Sequence, residues 1–170
     1  MRIIYLDIDG VIATTPTYNA AYRAGFKLSE KTLSGMISLL DPQKIEQFNT
    51  IIEQTGAQII LSSTWRFLPL LGDLTPIELL KKAGLKGEFI GTTSMDEELI
   101  SRGHEIADDV KRRGLKSDEY IILDDDQTAG ERLKAIGHSS NRWIQTSAAR
   151  GMNKKHAQKA IEMLLKASAN

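Results

Sequence analysis

Short apolar runs recur along the chain, and between them the apolar residues follow the spacing of helices. The runs have the length and composition of buried strands, and they lie at 2–6, 58–61, 88–90, 120–123 and 143–145. Strands that alternate with helices favour βαβ units and a parallel sheet. The first run is typical of a strand covered on both faces. The sequence therefore predicts an α/β fold with a doubly wound central parallel sheet of about five strands, in which the 2–6 strand is internal.

Helix-capping residues mark the connections between these strands. Asp41 suits an N-cap before Pro42 at the first helical position, and Gly56 suits the C-terminal stop. Thr75 and Glu78 have the spacing of a capping box. Similar signals predict three more helices. The first follows Ser101 and ends at Gly114, the second runs through Leu133 and Ile136 to Gly137, and the third follows an N-cap at Asn153.

The segment 13–40 between the first strand and the first of these helices is the least regular. Residues 14–17 predict a turn, and Tyr18, Tyr22 and Phe26 give the following stretch weak amphipathic character. The segment directly follows the end of the first strand, so it could fold over that end as a small cap. An ordinary surface excursion explains it equally well. We expect a single domain over 1–170, with 13–40 as the candidate cap.

Composition narrows the class of protein. Lysine plus arginine equals aspartate plus glutamate at 22 each, so no global basic field directs the chain to nucleic acid, although a local patch is compatible with this balance. The absence of cysteine excludes a disulfide framework and thiolate catalysis, and it fits a cytoplasmic location. No apolar stretch is long enough to span a bilayer, and we expect no association with a membrane.

Polar residues follow the predicted strands at the points where the strands end. Parallel sheets bring such ends to one edge, where carboxylates would repel one another unless a cation joins them. Mg²⁺ prefers oxygen ligands, serine and arginine can hold a phosphate, and an aspartate beside Mg²⁺ can attack phosphorus. The pattern therefore indicates a Mg²⁺-dependent phosphoryl-transfer site, for which the candidates are Asp7, Asp9, Ser62, Ser63, Arg102, Asp124 and Asp125.

The order of these motifs resembles the haloacid dehalogenase (HAD) superfamily of phosphatases. Stretches 61–66, 102–106 and 121–126 further resemble the HAD domain of Swiss Army Knife RNA-repair proteins. The likeness runs from residue 2 to about 165 and is patchy only in 14–40. It implies a HAD-like (Rossmann-like) fold with a cap insertion after the first strand, and a Mg²⁺-dependent phosphomonoesterase that forms an aspartyl phosphate.

The resemblance also implies catalytic roles. Asp7 would be the nucleophile, and Asp9 the general acid that protonates the leaving group and later activates water. Ser62 would bind the transferred phosphoryl group. Arg102 stands where the family more often has a lysine, a replacement that the family permits.

The implied metal site combines carboxylates from two strand ends. Asp7 and the backbone carbonyl of Asp9 would ligate Mg²⁺ from the first strand. Asp124 and Asp125 would complete the site, with Asp125 preferred as the direct ligand and Asp126 a third candidate. Asp7, Asp9 and Asp125 are therefore expected within reach of one cation.

Substrate recognition is the least determined part of the prediction. The resemblance suggests a nucleotide or a nucleic-acid terminal phosphate. Ser63 and Arg66 follow the second motif, and Arg66 could contact a second phosphate or equally be a surface charge. Trp65 favours core packing over base stacking, and Tyr18 and Tyr22 are further candidates to stack a base.

Other functions are compatible with parts of this pattern. A receiver-like signalling module also combines aspartates with Mg²⁺, but it would place its phosphoacceptor after the third strand, where this chain has Gly91 and Thr92. A catalytically silent phosphate-binding module would not need all the acidic and basic motif residues together. A phosphatase of small metabolites stays open as an alternative to nucleotide chemistry.

Overall fold

A computed structural model describes residues 1–30, 32–68, 74–94 and 101–166. Within these residues, five strands form one parallel sheet in the order β3-β2-β1-β4-β5. The strands are β1 (Ile3–Leu6), β2 (Gln58–Leu61), β3 (Phe89–Thr92), β4 (Tyr120–Asp124) and β5 (Trp143–Gln145). The α/β fold and the internal position of the first strand are confirmed.

The register of the central strands determines which residues meet at the edge of the sheet. Leu6 of β1 lies opposite Leu61 of β2 and Leu123 of β4. The pairing continues by one residue on each side, because Asp7 N donates to the carbonyl of Leu123 and Ser62 N donates to the carbonyl of Leu6. Asp7 therefore lies level with Ser62 and Asp124.

Helices cover both faces of the sheet. On one face, Ile4 and Leu6 of β1 belong to a core with Phe48 and Leu164; on the other, Tyr5 packs with α5. Each strand alternates between the two cores because successive side chains point to opposite faces. The six α-helices of the described residues are α1 (Thr15–Arg23), α2 (Leu33–Ile37), α3 (Pro42–Thr55), α4 (Pro76–Lys82), α5 (Arg102–Arg113) and α6 (Lys154–Lys166).

The predicted caps of α3 and α4 are present. Asp41 Oδ1 accepts a hydrogen bond from Gln43 N at 2.9 Å, and Gly56 ends α3 with a φ of 62°. Thr75 and Glu78 form the reciprocal bonds of a capping box. None of the helices described here has both the length and the apolar surface that crossing a membrane requires.

Two local predictions are wrong. Residues 14–17 begin α1 instead of forming a turn, because Thr14 is its N-cap and forms a capping box with Thr17. The helix expected through Leu133 and Ile136 is only a short 3₁₀ helix at Lys134–Ile136, which ends at Gly137. The stretch before it includes Gly130, a poor helix former, which packs closely against Trp143.

Candidate active site

Three carboxylates come together where β1 and β4 end. Ligand oxygens of Asp7, Asp124 and Asp125 all lie within 4.8 Å of one another. Asp7 follows β1 directly, and Asp124 is the last residue of β4, so the shared register places them side by side. Within the part of the chain that the structure describes, this is a group that could hold a metal ion.

Burial makes these charges costly in the absence of a cation. Burial raises the pKa of Asp7, although Arg102 and a hydrogen bond from Ser63 lower it in part. Burial and the charge of Asp7 raise the pKa of Asp124 to about 8, against a smaller lowering by Arg102. Burial also raises the pKa of Asp125. A bound cation would remove the repulsion and favour the ionised carboxylates.

The residues present fit Mg²⁺. All three ligand candidates are carboxylates, which suit a hard cation, and no described residue provides a hydrogen-bond partner for the buried Asp124 Oδ2. Gly10 leaves room for the carboxyl group of Asp125, because a Cβ at Gly10 would overlap that group. Asp7, Asp124 and Asp125 are among the expected ligands; the side chain of Asp9 is not part of the group, and its expected contribution was the backbone carbonyl.

Arg102 lies beside these carboxylates at the start of α5. Its Nη2 is 4.0 Å from Asp7 Oδ1, and its Nε is 3.5 Å from Asp124 Oδ2. Gly103 brings the start of α5 close to this edge, because a Cβ there would overlap the carbonyl oxygen of Thr128. None of the described residues forms a hydrogen bond with Nε or Nη1 of Arg102, or with the buried Ser62 Oγ. Arg102 Nη1 also lies 3.6 Å from Glu105 Oε2, so Arg102 is shared between Glu105 and the carboxylates, whereas the Ser62 hydroxyl, without a partner among the described residues, is available to a phosphoryl group.

The carboxylate of Asp9 is not part of this group and has two other partners. Asp9 Oδ1 accepts a hydrogen bond from the hydroxyl of Tyr18 at 2.8 Å, and Asp9 Oδ2 accepts one from Trp65 Nε1 at 3.1 Å. Tyr18 lies on α1, and Trp65 lies on a 3₁₀ turn (Thr64–Phe67) that follows β2. Sequence reasoning missed both contacts, because no local pattern relates these residues to Asp9.

The structure places Ser63 and Trp65 inside the protein. The Ser63 hydroxyl faces Asp7 and also accepts from Trp65 N at 3.3 Å. Trp65 is 3% exposed and belongs to the core, as the sequence favoured. The idea that Trp65 stacks a base is therefore wrong, because its faces are covered.

Arg66 is also buried, so the expectation of a surface charge is wrong. The side chain is 1% exposed and pairs with Glu105 Oε2 at 2.7 Å. It also donates to the carbonyls of Ser62 and Ser63, at 2.9 and 2.7 Å, and to that of Ser94 at 3.3 Å. Arg66 thus joins the ends of β2 and β3 to α5, and its position does not support contact with a second phosphate.

Comparison with known families places this arrangement in context. A sequence model of the family described as the HAD domain in Swiss Army Knife RNA repair proteins matches residues 3–157. The chain belongs to this family. The resemblance inferred from the motifs is thereby confirmed, and the HAD domain falls among hydrolases and phosphatases. A search of curated proteins gives no match.

All the predicted site residues of this HAD domain lie inside the matched range. The structure gathers most of them at one edge of the sheet, with Asp7, Asp124 and Asp125 in one group and Arg102 and Ser62 beside it. Asp9 lies at the side of α1. Glu105 was not predicted, although its position one turn after Arg102 on α5 was visible in the sequence.

Proposed function

We propose that this HAD domain is a Mg²⁺-dependent phosphomonoesterase that acts through an aspartyl phosphate at Asp7. The observation that carries the proposal is the placement of three carboxylates within 4.8 Å of one another beside Arg102. Family membership supports the same chemistry. A buried acidic group of this kind is costly as a purely structural feature, and a site that binds a cation and a phosphate accounts for it.

The reaction assigns a task to each side chain. Asp7 attacks phosphorus with one carboxylate oxygen, and the bond from phosphorus to the leaving oxygen breaks. Asp9 gives a proton to that oxygen, and it later takes a proton from the water that releases phosphate from Asp7. Arg102 and the Ser62 hydroxyl donate hydrogen bonds to the phosphoryl oxygens.

Mg²⁺ would be held by Asp7, Asp124 and Asp125, and when bound it would neutralise charge on the phosphate and the carboxylates. Arg102 supplies further positive charge, with its Nη2 at 4.0 Å from Asp7 Oδ1. The two together would keep Asp7 ionised, which a nucleophile requires, although burial by itself raises the pKa of Asp7.

For the substrate we propose a nucleotide or a nucleic-acid terminal phosphate. The family description refers to RNA-repair proteins. Tyr22 is the best candidate to stack a base, since it is 46% exposed on α1, whereas Trp65 is buried. We further propose that the segment 13–40 acts as a small cap, because α1 brings Tyr18 to within hydrogen-bond distance of Asp9.

A screen of phosphomonoesters with and without Mg²⁺ tests the proposal. The substrates are nucleoside monophosphates, 3′- and 5′-phosphorylated oligonucleotides and sugar phosphates. We expect Mg²⁺-dependent release of phosphate, with kcat/KM highest for a nucleotide or an oligonucleotide end. A sugar phosphate that is better than all of these by about tenfold, or about 1.4 kcal/mol, would indicate a small-metabolite phosphatase instead.

Asp7→Asn tests the covalent route, since an amide is a poor nucleophile. The variant should have no measurable turnover and should not bind beryllofluoride, which mimics the phosphoryl group on an aspartate. Asp108→Asn is the control, because Asp108 is exposed on the outer side of α5. Normal turnover by Asp7→Asn would rule out an aspartyl phosphate at this position.

A further inference from the structure

The carboxylate of Asp9 is held by two donors that come from different parts of the chain. Tyr18 on α1 binds Oδ1 at 2.8 Å, and Trp65 after β2 binds Oδ2 at 3.1 Å. Both oxygens thus have a donor, and the carboxylate of Asp9 is not part of the group formed by Asp7, Asp124 and Asp125. These two contacts hold the orientation of the Asp9 side chain.

The two donors differ in the hydrogen bonds that they can form with Asp9. The indole Nε1 of Trp65 can only donate, so Asp9 Oδ2 can only accept from it. The hydroxyl of Tyr18 can donate or accept, so Oδ1 can keep this partner whether or not Oδ1 carries a proton. Burial and the nearby Asp9 raise the pKa of Tyr18, so its hydroxyl is a neutral group with a proton to donate.

Asp9 and Tyr18 also line one cavity. Its volume is about 280 Å³, and its other walls come from Gly10, Ala13 to Thr15, and Ala148. Two of these lining residues are joined, since Thr15 N donates to the carbonyl of Ala148 at 2.8 Å. Oδ1, the oxygen that faces Tyr18, is thus on the side of Asp9 where a leaving group has room.

We propose that Tyr18 is a positioning residue for the leaving-group step, which holds Asp9 so that Oδ1 faces the cavity beside α1. The inference rests on the proposed phosphomonoesterase function. The proton on Oδ1 passes to the leaving oxygen as its bond to phosphorus breaks, and the Tyr18 hydroxyl then donates to the ionised Oδ1. When water attacks the aspartyl phosphate, its proton returns to Oδ1 and the Tyr18 hydroxyl becomes the acceptor again.

Tyr18→Phe tests this assignment with two esters. The measured quantity is kcat/KM, which covers the steps up to departure of the leaving group. A nucleoside 5′-monophosphate has a poor leaving group that needs a proton, whereas 4-nitrophenyl phosphate releases a stable anion. A general acid contributes about 10²–10⁴-fold, so we expect Tyr18→Phe to lose about tenfold or more with the nucleotide and less than about threefold with the nitrophenyl ester.

Tyr120→Phe is the matched control. Tyr120 is the first residue of β4 and pairs with Ile3, at the opposite end of the sheet from Asp9, and its hydroxyl forms a hydrogen bond with His138 Nδ1 at 2.9 Å. Tyr120→Phe should leave the ratio of the two kcat/KM values unchanged. Equal losses with both esters in Tyr18→Phe, or no loss with either, would overturn the assignment.

Asp9→Ala separates this inference from the proposed function. If the wild-type protein hydrolyses neither ester, or if Asp9→Ala is as active as wild type, the proposed function itself fails. If Asp9→Ala is inactive on the nucleotide while Tyr18→Phe shows no dependence on the leaving group, only the role of Tyr18 fails.

A spectroscopic measurement tests the hydrogen bonds independently of activity. The chain has two tryptophans, so its ¹H–¹⁵N spectrum should show two indole N–H signals. The signal of Trp65 should move upfield in Asp9→Ala, which lacks its acceptor, and should stay in place in Tyr120→Phe. An unmoved Trp65 signal in Asp9→Ala would show that Asp9 is not held in this way, and would overturn the inference.

Discussion

Gly10 is the residue that lets the two acidic strand ends approach each other. Its φ is 71°, a conformation that residues with a Cβ rarely adopt, and a Cβ would overlap the carboxyl group of Asp125. Gly10→Ala should therefore displace Asp125 as well as strain the backbone. We expect a loss of about 1–2 kcal/mol in the free energy of unfolding, together with a loss of about 10²-fold in Mg²⁺-dependent turnover.

Gly137→Ala is the control that separates these two effects. Gly137 has a similar φ of 78°, but among the described residues, apart from Gly137 itself and its two chain neighbours, no atom lies within 4 Å of where its Cβ would be. Chemical denaturation should give a comparable loss of stability in both variants, and turnover should stay normal in Gly137→Ala. Equal turnover in the two variants would mean that Gly10 does not make room for Asp125.

Arg66 illustrates how a buried charge stabilises the site without contacting the substrate. Removal of one partner from a buried ion pair typically costs about 3–5 kcal/mol, because the other charge is left unpaired. In Arg66→Ala, Arg102 Nη1 would still lie 3.6 Å from Glu105 Oε2, so we expect the free energy of unfolding to fall by about 3 kcal/mol, the lower end of this range, measured by urea denaturation. Lys86→Ala is the control, since Lys86 pairs with Glu53 at 2.6 Å but both side chains are more than half exposed. It should lose no more than about 1 kcal/mol.

A direct role of Arg66 in binding would give a different result. KM for the nucleotide would rise in Arg66→Ala under conditions where the variant is fully folded. The geometry predicts no such rise, since the guanidinium is occupied by three carbonyls and Glu105.

At the scale of residues, the sequence predicted the chemical types in the site better than their individual partners. The site residues Asp7, Asp124 and Asp125 could be predicted, because acidic residues at the ends of buried strands are costly unless they bind a cation or a ligand. The burial of Arg66 could not be predicted from the sequence, because it depends on an ion pair with Glu105, which lies on a helix almost 40 residues later along the chain. The two donors to Asp9 depend likewise on how α1 packs against the turn after β2.

At the scale of elements, α4 depends on its capping box. Hydrogen bonds from the backbone and the hydroxyl of Thr75 lower the pKa of Glu78. A carboxyl group with a lower pKa in the folded state stabilises the fold above its unfolded pKa, and this contribution disappears as the pH falls through the folded value. The stability difference between wild type and Glu78→Gln should therefore be present near neutral pH and shrink below about pH 4.

Denaturation of both proteins across the pH range measures this difference. In a Thr75→Ala background, Glu78 loses the hydroxyl partner, and the pH-dependent part of the difference should be smaller. A difference that is unchanged by Thr75→Ala would mean that the hydroxyl does not hold Glu78.

The elements that the sequence predicted well are those whose ends depend on a few neighbouring residues. The ends of α3 and the start of α4 could be predicted, because the capping residues Asp41, Gly56 and Thr75 form their hydrogen bonds within about one turn of the chain. The beginning of α1 was missed although Thr14 followed by Pro16 was itself a signal for a helix start. The stretch before Gly137 has a glycine in its middle, and packing against Trp143 determines its path more than helix propensity does.

At the scale of the whole molecule, the candidate metal site should affect the stability of the fold. Three carboxylates that repel one another in the free protein are joined when a cation binds, and a ligand of the folded state stabilises it by mass action. Mg²⁺ at 100 times its dissociation constant should add about 2.7 kcal/mol to the free energy of unfolding, measured as a rise in Tm. EDTA should reverse the rise.

Asp125→Asn should reduce this Mg²⁺-dependent rise, and the exposed Asp108→Asn should not. A rise of equal size in both variants would locate the stabilising cation elsewhere on the protein.

The position of β1 has a consequence for how the protein is made. Ile3 pairs with Tyr120, so one edge of β1 stays unpaired until β4 has been synthesised, about 120 residues later. At about 5–20 residues per second, a ribosome needs roughly 6–24 s to reach β4. During this interval the nascent chain carries an apolar strand with an unpaired edge, which is a template for association with other chains. β1 therefore leaves the ribosome well before its pairing with β4 can form, and the growing chain should depend on chaperones most before residue 124 emerges.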